Sequence, residues 1–154
     1  MISDYENGVV DKPILDMLLP LARKSEKFIS ADSHGQLDRF RGINAITPNQ
    51  PEAEAELGRS LQDHKALLKG GQELMQRLDC ENLLITLGAM GMALFDQHGS
   101  GEVFPAKPVA GVADTTGAGD TVAGVFTLSR LSQATPREAA QLANLAGAAV
   151  VTKL

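Results

Sequence analysis

Two glycines and a carboxylate, Gly117, Gly119 and Asp120, stand within the run Asp114-Thr115-Thr116-Gly117-Ala118-Gly119-Asp120-Thr121. Upstream, residues 109–113 read as a short apolar strand; downstream, Val122, Ala123, Val125, Phe126 and Leu128 give an apolar helical stretch without proline. The glycines are therefore expected at a helix N-terminus. The first backbone N–H groups of a helix lack intrahelical partners and carry about half a positive charge in aggregate, which favours an anion beside them. An acid next to a bound phosphate repels it, and a role as general base for an attacking hydroxyl gives Asp120 a reason to be there. The same residues also suit a helix-capping aspartate and a turn whose glycines answer only a steric need. Two other phosphate-binding patterns are excluded: there is no G-x-x-x-x-G-K-[ST], and Val122 stands where G-x-G-x-x-G needs its third glycine.

Strands and helices that alternate along the chain must position this run. Residues 2–5 read as the end of a strand whose beginning would precede Met1. A helix over 12–25 follows, with Asp11 as its cap, Pro13 in its first turn and a kink at Pro20. Strands are expected at 28–31 and 44–47, then a short helix over 51–57 and a longer one over 64–78, despite a cost of about 1 kcal/mol each for Gly70 and Gly71 relative to alanine. Residues 83–87 form an uninterrupted apolar run, as in a strand buried on both faces. Segments 92–96 and 102–104 read as a hairpin. The last helix opens on the capping box Thr135-Pro136-Arg137-Glu138 and runs through Val150. This order implies an α/β layered, mostly parallel sheet flanked by helices, with ligands bound beyond the C-terminal ends of the strands. Asn49, Gly88 and the Gly117 to Asp120 turn each follow a predicted strand, so three remote segments are expected to converge on one crevice. Without repeats, low-complexity tracts or a linker, a single unit is expected.

Composition narrows the partners. The chain has 154 residues, 44% of them hydrophobic, enough for one core. No run reaches the ~18 apolar residues that span a bilayer, and the N-terminus lacks a basic region and an apolar signal core, so no membrane partner and a cytoplasmic location are expected. A net charge of −5 argues against nucleic acid. The flanks of Gly88-Ala89-Met90-Gly91 carry no basic residues, which excludes an RNA-clamping loop there. Cys80 is the single cysteine and has no metal-ligand spacing with His34, His64 or His98; a buried, inert thiol is expected.

The stretch Asp114-Thr115-Thr116-Gly117-Ala118-Gly119-Asp120-Thr121-Val122-Ala123-Gly124 resembles the C-terminal signature of the PfkB (ribokinase-like) carbohydrate kinases, with Val125 where many members have a smaller residue. Thr47-Pro48-Asn49-Gln50-Pro51-Glu52 resembles the family's N-x-x-E element. Thr86-Leu87-Gly88-Ala89-Met90-Gly91 resembles its nucleotide-contacting turn, and Ala143-Asn144-Leu145-Ala146-Gly147-Ala148 the helix beside the adenine. Within the family, Ser3-Asp4-Tyr5 and Arg39-Phe40-Arg41-Gly42 are most similar to the heptose-phosphate kinases of lipopolysaccharide assembly. Two cations of that group are replaced in this chain: Asn7 stands for a lysine, and Ser33-His34 stand for Pro-Lys.

The resemblance implies an ATP-dependent kinase acting on a hydroxyl of a sugar or sugar phosphate, a heptose 7-phosphate among them. It makes Asp120 the base, the Gly117, Ala118 and Gly119 amides an anion hole, and Thr86, Gly88, Gly91 and Asn144 nucleotide contacts. Asn49 and Glu52 would approach Mg2+ and the phosphates through water, and Asp114 and Thr116 would belong to a monovalent-cation (K+) loop. It also implies that residues 1–154 are the C-terminal nucleotide-binding and catalytic portion of the kinase fold, lacking the N-terminal half and its β lid. The other reading is a truncated, non-catalytic nucleotide-binding or assembly module, whose exposed sheet edge is filled by a partner or by a homo-oligomer. Read without the resemblance, Glu52 is equally a helix-dipole residue, the Thr86 to Gly91 segment a strand-ending turn, and Asn144 a satisfied core amide.

Overall fold

Asn82–Thr86 (β4) lies deep in the sheet because its side chains are apolar on both faces: Leu83 and Ile85 face one hydrophobic cluster and Leu84 the other. The computed structural model describes residues 1–97, 99, 101–108 and 114–152, and the predicted strand over 109–113 lies outside them. Around β4 the described residues form a sheet of six strands in the order β1 (Ile2–Asp4), β2 (Ser30–Ser33), β3 (Ala45–Ile46), β4, β5 (Met92–Asp96) and β6 (Glu102–Phe104). β1 to β4 are mutually parallel; β5 runs against β4, and β6 runs against β5, so only β5 points the other way. The expected mostly parallel α/β architecture is present.

Helices α1 (Lys12–Lys24), α2 (Gln50–Leu57) and α3 (His64–Leu78) contribute Leu15, Leu19, Ala53, Leu67 and Leu74 to one core. On the opposite face α4 (Ala118–Leu131) and α5 (Pro136–Val150) contribute Val122, Phe126, Ala139 and Ala143 to the other. The caps read from the sequence form: Asp11 accepts from Ile14 N–H, and both Asn49/Glu52 and Thr135/Glu138 make reciprocal capping boxes. Gly70 and Gly71 stay in a helix interior because packing requires them. A Cβ would lie 2.3 Å from Leu61 Cδ2 at the first and 2.1 Å from Phe95 Cζ at the second.

Strand boundaries differ most from expectation at β2 and β3, while β1, β4, α1 and α2 shift by one residue at one or both ends. β2 begins two residues later than the predicted 28–31, since Ile29 N–H is taken by the Asn44 side chain and pairing with β1 places Ser3 and Asp4 opposite Asp32 and Ser33. An apolar-run criterion misses those polar strand residues. β3 shortens to Ala45–Ile46, although Thr47 N–H still reaches Ala31 O at 3.1 Å. α1 continues through Pro20 to Lys24. Among the described residues no helix is long and apolar enough to cross a membrane.

Candidate functional site

Gly117 opens α4 with φ 75°, a left-handed conformation that glycine adopts without steric penalty. Its carbonyl then accepts both the N–H (3.0 Å) and the hydroxyl (2.9 Å) of Thr121. Of the three amides expected in an anion hole, Ala118 N–H is committed to Thr115 O at 3.2 Å, closing the turn. The amides of Gly117, Gly119 and Asp120 have no partner among the described residues, so Gly117 and Gly119 of the expected set are uncommitted and Asp120 takes the place of Ala118. A Cβ added at Gly117 or Gly119 would meet no atom within 4 Å. The side of each glycine on which a side chain would stand is therefore open.

That space joins a cavity of about 700 Å³ at the C-terminal end of β4, lined by Thr86, Gly88, Gly91, Ala118, Gly119 and Asn144, with Val122, Met92 and Gly147 among its apolar walls. Asn144, mostly buried on α5, donates Nδ2–H to Pro105 O at 2.8 Å, which leaves its Oδ1 as an acceptor. Gly91, at φ 103°, packs so tightly that a Cβ would lie 2.0 Å from Phe104 O; its glycine is required by the fold itself. A second concavity of about 460 Å³ lies at the opposite ends of the strands against Arg23, Lys27 and Glu81, and no predicted site residue lines it.

Asn49 lies beside the larger cavity, joined to Thr86 by a parallel bridge and by Thr86 N–H to Pro48 O at 2.9 Å. Its Oδ1 caps α2 by accepting Glu52 N–H at 2.9 Å, and Glu52 accepts Asn49 N–H (2.7 Å) on Oε2 and Asn49 Nδ2–H (2.7 Å) on Oε1. His34 Nδ1 stands 3.1 Å from the same Oε1. The capping role of Glu52 is thus realised, with both carboxylate oxygens engaged.

Asp120 turns toward the ends of β1 and β2, where Tyr5 donates its hydroxyl to Asp120 Oδ1 at 2.6 Å and stacks at 4.8 Å on His34. Asp32, on β2, is pushed above the usual carboxylate range, first by burial and further by the negative charges of Asp120 and Glu52, against the hydrogen bond from Thr47 at 3.2 Å. Three carboxylates from three segments therefore share one electrostatic environment. Sequence reasoning assigned no site role to Tyr5, Asp32 or His34; their signal was their place at the C-terminal ends of parallel strands. Asp114 accepts Thr116 N–H at 2.8 Å, and this bond, with the Thr116 hydroxyl, lowers its carboxyl below the ordinary range. The two lie beside Thr115, which lines the cavity. No group of three or more acidic, His or Cys side chains among the described residues could hold a metal ion directly.

Residues 15–154 match the family described as pfkB family carbohydrate kinase. The chain belongs to that family. Among curated proteins it is 34% identical over 155 residues to the bifunctional protein HldE of Geobacter sulfurreducens, a match covering all of this chain and 31% of that protein. HldE of Helicobacter pylori strain G27 is 36% identical over 156 residues, covering all of this chain and 33% of that one. Among solved structures, phosphofructokinase-2 of Escherichia coli in complex with substrates and products superposes with a TM-score of 0.85 at 25% identity, over 97% of this chain and 49% of that one. Ribokinase of Arabidopsis thaliana, complexed with ribose and ATP, shares the fold with a TM-score of 0.81 at 23% identity, over 91% of this chain and 46% of that one. This pfkB family chain thus spans about a third of the length of these curated relatives and about half that of the solved chains.

Proposed function

We propose that residues 1–154 are the nucleotide-binding and catalytic portion of a cytoplasmic sugar kinase that moves the γ-phosphoryl group of ATP to a hydroxyl of a sugar or sugar phosphate. One observation carries this reading: the α4 turn, through Gly119 with its uncommitted amide, lines a nucleotide-sized cavity, with a carboxylate in the same turn. The apolar walls at Met92, Val122 and Gly147 suit a purine, and Asn144 Oδ1 can accept from its amino group. The Gly117 and Gly119 amides hold the transferring phosphoryl group with donors already oriented, which avoids reorganisation as charge shifts.

Asp120 receives the acceptor's proton. A carboxylate is far too weak a base to ionise a sugar hydroxyl beforehand. Transfer therefore comes late, as the oxygen begins to bond phosphorus, in keeping with a loose transition state. The acidic setting of Asp32, Glu52 and Asp120 fits a hydrated Mg2+, and because both Glu52 oxygens are engaged, Glu52 and Asn49 would hold it through water. When bound with ATP, Mg2+ neutralises phosphate charge. Asp114 and Thr116 offer oxygens for K+, and the E. coli phosphofructokinase-2 fold has been solved in complex with potassium. Phosphofructokinase-2 has also been solved with fructose-6-phosphate, which supports a sugar phosphate as acceptor. The Ser3-Asp4-Tyr5 and Arg39-Phe40-Arg41-Gly42 elements favour a heptose phosphate.

The decisive experiment assays the full-length protein with ATP and a panel of sugars and sugar phosphates; phosphorylation of one of them is expected, and ATP binding with no acceptor turned over would overturn the kinase reading. The other reading, a nucleotide-binding or assembly module, is favoured by the outer edge of β1, which no strand among the described residues pairs, and by the exposed Met17, Leu21, Leu128 and Leu131. It predicts that outcome of binding without turnover.

A further inference from the structure

Neither the α4 amides that hold the phosphoryl group nor the proton transfer to Asp120 gives Tyr5 a role, yet its neighbours fix its place. β1 ends at Asp4, a buried carboxylate that accepts Arg39 Nη1–H on Oδ2 at 3.0 Å and Glu6 N–H on Oδ1 at 3.0 Å, while its carbonyl accepts His34 N–H at 3.1 Å. These bonds fix the backbone on both sides of Tyr5 and bring its ring against that of His34. His34 is in turn held by Glu52 Oε1. The phenol is thereby aimed at Asp120 Oδ1, and no other hydrogen bond to the Asp120 carboxylate exists among the described residues.

We infer that Tyr5 is a positioning residue for Asp120: its hydroxyl holds one carboxylate oxygen in place and leaves Oδ2 as the atom that accepts the proton of the acceptor hydroxyl. The inference rests on Asp120 being the base. Rotation about the last torsion of an aspartate is soft, so an unrestrained carboxylate samples many orientations. A hydrogen bond as short as 2.6 Å to a charged oxygen narrows that range, and alignment of reacting groups is where such restraint acts on rate. Tyr5 is suited to remain the donor. The Asp120 hydrogen bond, burial and the Asp120 charge all hold its phenol above the ordinary range, with Asp32 acting in the same direction and Ser3 against it.

The chain contains one tyrosine and no tryptophan, so the absorbance change on phenol ionisation reports on Tyr5 alone. In an alkaline absorbance titration of the full chain, the Tyr5 midpoint is expected above that of free tyrosine and to fall toward it in Asp120→Asn. No difference between the two proteins would overturn the inference, whatever the activity. In steady-state assays of the full-length protein, Tyr5→Phe, which keeps the ring and its stack on His34, is expected to lower kcat about 10- to 100-fold with KM for ATP unchanged. Normal kcat in Tyr5→Phe beside a crippled Asp120→Asn would overturn the inference and leave the kinase reading standing. Normal turnover in Asp120→Asn would remove the base itself. The titration needs no change at Tyr5, so it decides the contact even where Tyr5→Phe folds poorly.

Discussion

Ser30 and Thr127, 97 positions apart, share a buried 2.8 Å hydrogen bond that fastens α4 to β2. Thr127 gives its only hydroxyl proton to Ala123 O at 2.7 Å, so Ser30 is the donor to Thr127. The helix whose first turn carries Gly119 and Asp120 is thus tied to the strand that carries Asp32. Thr127→Val leaves the Ser30 hydroxyl buried without an acceptor and is expected to cost about 1–3 kcal/mol in urea unfolding. The double variant Ser30→Ala/Thr127→Val should recover part of that loss, because no unsatisfied group is left behind.

Gly119 separates a steric need of the fold from a need of the ligand. Nothing in the protein lies within 4 Å of an added Cβ, so Gly119→Ala should fold with unchanged or slightly greater stability, by up to about 1 kcal/mol. Its methyl group would stand over the amides, and ATP affinity measured by calorimetry should fall. Unchanged affinity would mean that this turn does not face the phosphates.

At Glu52 cap and ligand roles can be told apart because glutamine also completes a capping box. Glu52→Gln should unfold within about 0.5 kcal/mol of the parent, whereas Glu52→Ala loses the reciprocal cap and about 1 kcal/mol. If Glu52 holds hydrated Mg2+, Glu52→Gln should still raise the Mg2+ concentration needed for half-maximal activity. An unchanged Mg2+ requirement would confine Glu52 to the cap.

Asp32 makes stability depend on pH in a definite direction. Its folded-state pKa is raised, so the folded protein binds the proton more tightly than the unfolded one, and ionisation weakens the fold as pH climbs through the raised value. Asp32→Asn, which can still accept from Thr47, should be more stable than the parent at neutral pH. That advantage should shrink as pH falls toward the ordinary carboxylate range. Parallel unfolding curves at several pH values check it; an advantage independent of pH would rule out the cost of a buried charge at Asp32 as its cause.

Much of this architecture was legible because local signals and long-range packing agree. The capping boxes at Asn49 and Thr135, the apolar β4 run and the Gly117 turn each stand where the sequence places them. β2 is offset by two residues because Asp32 and Ser33 are polar strand residues held by pairing with β1, which has no local signature. The Ala118 amide departs from expectation for a similar reason: whether a turn closes on Thr115 depends on backbone angles that residue types leave open. Tyr5, Asp32 and His34 carry no local mark of a site because only the parallel order of β1, β2 and β3 brings them to Asp120 and Glu52.

In the proposed reaction the α4 turn holds the γ-phosphate while Asp120 takes the proton of the acceptor. Turnover and ATP binding by Asp120→Asn, compared in the full-length protein, test it most directly. A kcat lower by at least about 10²-fold, with ATP affinity nearly intact, is expected. Near-normal turnover would contradict it.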